Sequence, residues 1–210
     1  MPLSSGPRRA PRPDLALQYG AICLRFSPES DRAIEVLLIT SRDTGRWVIP
    51  KGWGMAKKTS FEVAKQEAWE EAGIRGRVWK KSIGSFEYEK GLQGGKTVPA
   101  QVRVHLILVS RIDQHYPEEG ERTLRWCSPL EAAQLVDEPD LKALFAKVPD
   151  EVAKLLRRAF KQGQRGPAIH AAIWRAVPVL AVVAPELMAS AAMIRSNWRM
   201  LYKSDPMPAH

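Results

Sequence analysis

The sequence is poor in cysteine: Cys23 and Cys127 are the only two among 210 residues. Two cysteines cannot supply the disulfide framework of a small secreted domain, and Cys23 lies in an apolar run that favours a buried free thiol. A reducing compartment fits this usage, so we expect a cytoplasmic location. The amino terminus has arginine and proline but no apolar core segment, and we therefore expect no secretory signal.

Long apolar runs are also missing. The strongest candidate, AVPVLAVVAP, lies between Arg175 and Glu186 and is broken by Pro178. It is too short to span a bilayer core of about 30 Å, so we expect no membrane partner. A helix-forming appendage is the favoured interpretation, with membrane anchoring as the alternative. No internal repeat is visible.

The positive charge is concentrated at the two ends of the chain. Of the net charge of +9, residues 1–16 contribute +2 and residues 150–210 contribute +5, which leaves +2 for residues 17–149. Basic ends can contact nucleic acid or another acidic surface, but a solubilising role is the favoured alternative. We therefore do not expect nucleic acid as a partner.

Composition and length indicate one soluble domain with appendages. Hydrophobic residues make up 45% and charged residues 26% of the chain, which is ordinary for a globular protein. Proline, serine and arginine dominate residues 1–16, which we interpret as a disordered basic arm. We assign residues 17–145 to the domain, 146–165 to a helical extension and 166–210 to an appendage of unknown role.

The apolar pattern predicts strands on both sides of one helix. The strands are predicted at residues 17–26, 34–40, 47–50, two within 75–88, then 101–111 and 122–128. Residues 90–99 are predicted to form a glycine-rich loop. A second helix is expected after Ser128, with Glu131 in the capping-box position, and residues 139–161 continue helically with an interruption at Pro149.

The most informative stretch carries three glutamates, Glu67, Glu70 and Glu71. In a helix these positions are i, i+3 and i+4, so all three carboxylates share one face. Three like charges this close repel one another, and a hard divalent cation relieves the repulsion. A solvated acidic helix face is the alternative. Thr59 as N-cap, Glu62 in a capping box and Gly73 at the carboxyl end support the helix.

The stretch KGWGMAKKTSFEVAKQEAWEEAGI resembles the Nudix box, G-x5-E-x7-R-E-U-x-E-E-x-G-U, in which U is a bulky aliphatic residue. The box begins at Gly52 and closes with Gly73 and Ile74, and its Glu-x-x-Glu-Glu coincides with the three glutamates. The resemblance covers about residues 17–145. It implies an α/β protein, an α/β/α sandwich around a mixed β-sheet.

Three positions depart from the box. Lys58 stands where the family has glutamate, Gln66 where it has arginine, and Ala68 where a bulkier aliphatic residue is usual. We predict that Gln66 donates a hydrogen bond to Glu70 and that Lys58 approaches the same cluster. This predicts an active but less efficient hydrolase, and a Nudix-fold binding or regulatory module is the alternative.

The resemblance implies hydrolysis of a diphosphate linked to another moiety, with Mg²⁺ or Mn²⁺ as cofactor. Glu67 and Glu71 would be metal ligands, with the carbonyl of Gly52 as an additional one. Glu70 would be the general base or the carboxylate that orients the attacking water. Three residues of the loop at 112–121 are candidates for an extra carboxylate, with a solvated acidic loop as the alternative: Glu118, Glu119 and Glu121.

Residues 36–55 resemble the diphosphoinositol polyphosphate phosphohydrolase branch, which also acts on dinucleoside polyphosphates. Such substrates are dense in phosphate, so arginine and lysine are expected around the cleft. The candidate substrate-binding residues are Arg25, Ser41, Arg42, Arg46, Lys51, Lys96 and Arg103. Lys51 is equally compatible with a surface position. Trp47 and Trp53 are candidates to stack on a base, although Trp47 also fits a core position. A homo-oligomer is an open alternative.

Overall fold

The computed structural model describes residues 15–27, 34–91 and 95–161. The strands are β1 (Ala16–Phe26), β2 (Ile34–Thr40), β3 (Trp47–Val48), β4 (Lys51–Trp53), β5 (Ile74–Val78), β6 (Gly84–Gly91), β7 (Thr97–Ile112) and β8 (Leu124–Cys127). The helices are α1 (Ser60–Ala72), α2 (Pro129–Leu135) and α3 (Pro139–Lys161). The predicted appendage at 166–210, and the predicted arm apart from its last two residues, lie outside the described residues.

The described strands belong to one mixed sheet, as predicted, although β4 was not among the predicted strands. The main order is β3-β2-β1-β7-β5, with β4 paired to β1, β6 to β7 and β8 to β2. The β1–β7 pair is parallel, and the other pairs are antiparallel. Because β2 and β4 pair with different halves of β1, Tyr19 lies opposite Gly52. The glycine that opens the box is thereby held at the sheet.

Alternation along the central strands divides the core between the two faces of the sheet. Ile22 and Leu24 belong to a core cluster that α2 and α3 complete, whereas Ala21 and Cys23 belong to a second cluster that α1 completes. Successive side chains of a strand point to opposite faces, so a continuous apolar strand indicates a sheet covered on both sides. The predicted α/β/α sandwich is confirmed, and Cys23 is a buried free thiol.

Helix α1 has the predicted caps. The carboxylate of Glu62 accepts a hydrogen bond from the backbone N–H of Thr59 at 2.8 Å. At the other end Gly73 has a φ of 66° and donates its N–H to the carbonyl of Trp69 at 2.8 Å. A left-handed residue costs little when it is glycine. Because both ends are capped, α1 has a defined orientation about its own axis. This orientation determines the direction in which its glutamates point.

The predicted interruption at Pro149 is wrong, because α3 runs through it without a break. A proline inside a helix costs about 3 kcal/mol through a lost hydrogen bond and a clash with the preceding turn. Three buried residues around it, Phe145, Val148 and Val152, pack into the core cluster beneath α2 and α3. This packing offsets the local cost.

The predicted glycine-rich loop at 90–99 is shorter than expected. Strand β6 continues to Gly91 and β7 begins at Thr97, and these two residues are paired across the hairpin. Cross-strand hydrogen bonds thus extend into a stretch whose composition indicates a loop. Among the described helices, none is both long and apolar enough to cross a membrane.

Candidate active site

Helix α1 presents its glutamates at the edge of its packed face. The buried apolar residues of the helix are all small or medium in size: Val63, Ala64, Ala68 and Ala72. Small side chains allow the helix to lie close to the sheet. Glu67 and Glu70 are consequently half-buried and Glu71 is buried, next to strand β4. The predicted common face for the three carboxylates therefore lies against the strand that carries Gly52.

The carboxylate of Glu67 lies directly against Gly52. A Cβ atom on Gly52 would overlap the carboxylate of Glu67, so only glycine leaves room for this side chain in its present position. Burial, followed by the charges of Glu71 and Glu70, raises the pKa of Glu67 to about 7. Burial and the two neighbouring carboxylates thus disfavour the ionised form of Glu67.

Glu71 is held by two partners on opposite sides. One carboxylate oxygen accepts the backbone N–H of Lys51 at 2.9 Å, and the other pairs with the guanidinium of Arg122. The side chains of Glu71 and Arg122 are only 8% and 6% exposed. Burial raises the pKa of Glu71, and Arg122 and Lys51 oppose that shift. The ion pair between Arg122 and Glu71 holds the Glu71 carboxylate in a buried position.

Glu70 is oriented by a chain of two hydrogen bonds. Gln66 donates its side-chain amide to Glu70 at 2.6 Å, as predicted for these i and i+4 positions. The ammonium of Lys58 in turn donates to the amide oxygen of Gln66. The departures at positions 58 and 66 therefore act together, because the lysine supplies a cation that reaches Glu70 through the glutamine.

The acidic loop contributes one of its three candidate glutamates to the cluster. Glu118 accepts from Arg122 at 2.9 Å, and its backbone N–H donates to the carbonyl of Glu70 at 3.0 Å. Glu119 is half exposed and pairs with His115, and Glu121 pairs with Arg42. Glu118 therefore belongs directly to the network that surrounds the glutamates of α1, and Glu121 is linked to it through Arg42, which also lies 3.4 Å from Glu118.

A cavity of about 400 Å³ adjoins this cluster. Lys51 lies at the junction, since its side chain lines the cavity and its backbone binds Glu71. Two cations lie near the ring of Tyr88, with the Arg46 guanidinium 5.5 Å and the Lys51 ammonium 5.2 Å from its centroid. The residues at the mouth and walls include Ser41, Asp43, Glu89, Lys90, Asp137 and Glu138.

The structure brings some of the predicted substrate-binding residues together and not others. Ser41, Arg46 and Lys51 line the cavity. Arg42 does not; it pairs with Glu121 at 3.0 Å and with Glu118 at 3.4 Å. Arg25 lies six residues beyond Tyr19 on β1, about 20 Å along the strand. It pairs there with Glu35 at 2.8 Å and stacks on Trp126, so the structure does not bring it to the site.

The remaining candidates lie outside the cavity. Lys96 and Arg103 are exposed and do not line it. Trp47 packs against the core, in agreement with the core interpretation. Trp53, one residue after Gly52, is 44% exposed and remains available for stacking.

Sequence reasoning missed Arg122, Tyr88 and Glu138. Arg122 is 51 positions from Glu71 in the sequence. The local sequence around Arg122 predicts only the start of a short strand. Tyr88 belongs to an alternating strand, and its hydroxyl donates to Gln18 at 2.6 Å. Glu138 precedes a helix and pairs with Arg46 at 2.6 Å. No local sequence pattern predicts such contacts, because each one joins distant parts of the chain.

The oxygen atoms at this site suit a Mg²⁺-type cation whose remaining ligands are supplied by water and the substrate. Across the described residues, no three histidine, cysteine, aspartate or glutamate side chains are gathered into a ready metal cluster. Mg²⁺ is usually bound by one or two carboxylates, with waters and substrate phosphates completing the octahedron. Glu67 and Glu71, with the Gly52 backbone against Glu67, match that pattern. Burial and the charges of the neighbouring glutamates raise the pKa of Glu67, and a bound cation would oppose that shift.

Replacing Glu67 with Gln is expected to stabilise the metal-free protein at alkaline pH. The folded-state pKa of Glu67, about 7, lies above the ordinary 4.5, so the folded protein prefers the protonated acid. That contribution is present below about pH 4.5 and is lost as the pH rises through 7, whereas the neutral amide loses nothing. Melting in EDTA should show a gain of about 3 °C near pH 8.5 and little change near pH 5.

Glu119→Gln is the matched control for this measurement, because Glu119 is half exposed and outside the cluster. It should leave the melting temperature unchanged at both pH values. A Glu67→Gln variant that melts lower than the parent near pH 8.5 would contradict the expected cost of burying this charge beside two other carboxylates.

Comparison with known proteins identifies the fold and its family. The NUDIX domain matches residues 16–148. Nudix hydrolase 16, mitochondrial, from Arabidopsis thaliana is 29% identical over 117 residues, which are 54% of this chain and 64% of that protein. Diphosphoinositol polyphosphate phosphohydrolase 3-beta from Bos taurus is 38% identical over 68 residues, 32% of this chain and 40% of that protein. Each relative is matched over less than two thirds of its length.

The solved structures agree on the architecture. The binary complex of a C. elegans Ap4A hydrolase superposes with a TM-score of 0.52 at 21% identity, covering 67% of this chain and 99% of that one. A likeness at this identity shows the fold. Since the match to the NUDIX domain takes in more than half of the 210 residues, including the helix that bears the three glutamates, the chain belongs to the Nudix family.

Proposed function

We propose that this chain hydrolyses the diphosphate linkage of a small-molecule phosphoanhydride, using Mg²⁺ or Mn²⁺. The observation that carries the proposal is the placement of Glu67 against Gly52, beside Glu71 and next to the cavity that Lys51 lines. We assign Glu67, Glu71 and the Gly52 carbonyl as the metal ligands. Such a cation, when bound, neutralises phosphate charge and makes a water more acidic.

The side chains around the metal ligands have distinct proposed roles. Glu70 orients or deprotonates the attacking water, and its bond from Gln66 keeps one carboxylate oxygen in place. Arg122 holds Glu71 and Glu118 together. Burial lowers the pKa of Lys51 to about 8, so its side chain is still mostly protonated at neutral pH and suits a phosphate oxygen.

The proposed substrate is dense in phosphate, such as a diadenosine polyphosphate or a diphosphoinositol polyphosphate. Similarity to the bovine diphosphoinositol polyphosphate phosphohydrolase supports this class. So does the position of Ser41, Arg46 and Lys51 around the cavity. A cytoplasmic location stays a prediction, since the plant relative is named as mitochondrial.

A substrate panel tests the proposal directly. Cleavage products are separated and quantified after incubation with dinucleoside polyphosphates, diphosphoinositol polyphosphates, nucleoside triphosphates and nucleotide sugars, each with Mg²⁺, Mn²⁺ or EDTA. We expect cleavage of the first two classes and none in EDTA. Cleavage of only a nucleoside triphosphate or a nucleotide sugar would overturn the substrate class. No cleavage with either metal would favour the binding-module alternative, which rests on the departures at Lys58 and Gln66.

The Lys58 and Gln66 departures predict a non-additive effect on turnover. Gln66→Arg alone places a second cation beside Lys58, which now donates to Gln66. Made together with Lys58→Glu, the same change creates an ion pair and a charge-assisted bond to Glu70, about twice as strong as a neutral one. We expect the double variant to turn over faster than the parent and either single variant, measured as kcat at saturating Mg²⁺.

The four proteins form a double-mutant cycle, in which contacting residues show coupling. Lys65→Glu, which removes an exposed lysine one residue before Gln66, serves as the charge control. Additive changes in kcat would contradict the relay from Lys58 through Gln66.

A further inference from the structure

His105 is a buried histidine that the proposed hydrolysis does not use. Its side chain is only 1% exposed, and it lies on β7 beside Ala21 of β1, on the side of the sheet that α1 covers. Both ring nitrogens have partners. Nδ1 lies 3.0 Å from the carbonyl oxygen of Trp79, and Nε2 lies 3.0 Å from Oγ of Ser60. The imidazole therefore joins the first residue of α1 to the chain that follows β5.

These partners define the roles of the two ring nitrogens. A carbonyl oxygen can only accept a hydrogen bond, so Nδ1 carries a proton and donates it to Trp79. In the neutral ring Nε2 then has a lone pair and accepts from the hydroxyl of Ser60. The N–H of Trp79 donates to the carbonyl of Leu106 at 3.0 Å, which holds this segment against β7. Neutral His105 thus connects Ser60 to a backbone group that is fixed at the sheet.

The surroundings of His105 favour its neutral form. Burial lowers its pKa, the hydrogen bond from Nδ1 opposes that shift, and the charge of Arg103 on the same strand adds to it. Lys80 lies 5.6 Å from the ring of Phe61, which meets the imidazole edge-on at 6.4 Å. Glu62, the acid in the first turn of α1, is bound at the helix cap, and β1 has uncharged residues beside His105.

Ser60 lies on the same face of α1 as the proposed metal ligands. Glu67 and Glu71 follow it by seven and eleven residues, which are two and three turns of a helix. The ion pair with Arg122 holds this face at Glu71, and His105 holds it at Ser60. The small apolar side chains between these two points make no directional contacts. The two polar contacts therefore fix the position of the face on the sheet.

We propose that neutral His105 is a positioning residue that acts through Ser60 to keep the two metal-binding glutamates of α1 directed at one cation. The inference rests on the proposed metal-dependent hydrolysis, because it concerns the ligands that this reaction requires. Without the contact the amino end of α1 can shift on the sheet, and a cation then has to restore its position on binding. Protonation of the ring has the same effect, because Nε2 can no longer accept from the hydroxyl.

The Ser60→Ala variant of the full chain tests the inference by calorimetric titration with Mn²⁺ near pH 7.5. Alanine is a good helix former and the cap at Thr59 remains, so the variant should fold. We expect Mn²⁺ to bind about fivefold more weakly, as for the loss of one hydrogen bond. Ser110→Ala is the matched control, because the Ser110 hydroxyl also makes a hydrogen bond, to the carbonyl of Arg75 in β5. It should change the affinity by about twofold or less.

Asparagine and glutamine at position 105 separate the two contacts of the ring. Asparagine places an amide near the position of Nδ1 and can donate to Trp79, whereas glutamine places one near Nε2 and can accept from Ser60. We expect His105→Gln to bind Mn²⁺ as the parent does and His105→Asn to bind it about fivefold more weakly. A histidine that only stabilises the fold would change the melting temperature and leave both affinities at the parent value.

NMR titration of the His105 ring follows the same contact in the metal-free protein. The Ser60 hydroxyl bonds to the neutral ring and so disfavours the charged form. Ser60→Ala should therefore raise the pKa of His105, whereas Ser110→Ala should leave it unchanged. Parent-like Mn²⁺ affinity in Ser60→Ala, equal affinities in the two His105 variants, or an unchanged His105 pKa in Ser60→Ala would each overturn the inference.

The outcome is separable from that of the proposed hydrolysis. Mn²⁺ binding that depends on Ser60, in a protein that cleaves no phosphoanhydride, would refute the hydrolysis and keep the positioning role. Cleavage by a protein whose Mn²⁺ affinity is insensitive to Ser60 would do the reverse. A parent protein that binds no Mn²⁺ would overturn both.

Discussion

Replacing Glu71 with Gln is expected to lower metal-dependent turnover by about 1000-fold, equivalent to about 4 kcal/mol of transition-state stabilisation. Glu71 lies on the face of α1 that also holds Glu67, and burial gives its charge a strong effect on any cation or phosphate nearby. The amide is neutral and a poor ligand for a hard cation. Turnover is measured as the rate at which the cleavage products form across a Mg²⁺ titration.

The Glu71→Gln protein should remain folded. The amide oxygen can still accept the N–H of Lys51, and Arg122 keeps its 2.8 Å pairing with Glu118. Circular dichroism and the melting temperature check this point. Glu119→Gln removes a carboxylate from the neighbouring loop and should retain full activity. Normal turnover in folded Glu71→Gln protein would remove the metal site from this helix face.

Replacing Gly52 with Ala is expected to lower turnover by about 100-fold, the loss associated with a misplacement of roughly 1 Å in a catalytic group. The new methyl group would occupy the space of the Glu67 carboxylate. That carboxylate ends a flexible side chain, so it can rotate away without disturbing the backbone. The activity should therefore fall much more than the stability.

Gly54→Ala is the matched control for the effect of a methyl group in this segment. Its Cβ would have the ring of Tyr19 at 3.3 Å as its nearest neighbour, which is a contact that a small shift relieves. We expect less than a threefold loss of turnover in Gly54→Ala. Equal losses in the two alanine variants would mean that the loop, rather than the position of Glu67, controls activity.

Local sequence patterns predicted the elements well. The alternation of Ile22, Cys23 and Leu24 between two covered faces follows from the two-residue repeat of a strand, and the caps of α1 follow from Thr59, Glu62 and Gly73. These features depend on residues only a few positions apart. The same holds for the hydrogen bond from Gln66 to Glu70, which the helical repeat alone predicts.

Predictions failed or fell short where packing between distant segments outweighs local preference. Pro149 is a helix breaker by itself, but the buried side chains around it keep α3 continuous. Arg25 has the chemistry of a phosphate ligand, yet its strand position takes it to Glu35 and Trp126. Residue type alone cannot distinguish these two outcomes for an arginine.

The sequence by itself determined the strands, the capped helix and the common face of Glu67, Glu70 and Glu71, because spacing along the chain sets these directly. Only the tertiary structure decided that Arg122 holds Glu71, that Gly52 touches Glu67 and that Glu138 pairs with Arg46 in the cavity wall. Each of these contacts joins residues separated by 15 to 92 positions. Their existence depends on which strands pair and how the helices pack on the sheet, and no local rule contains that information.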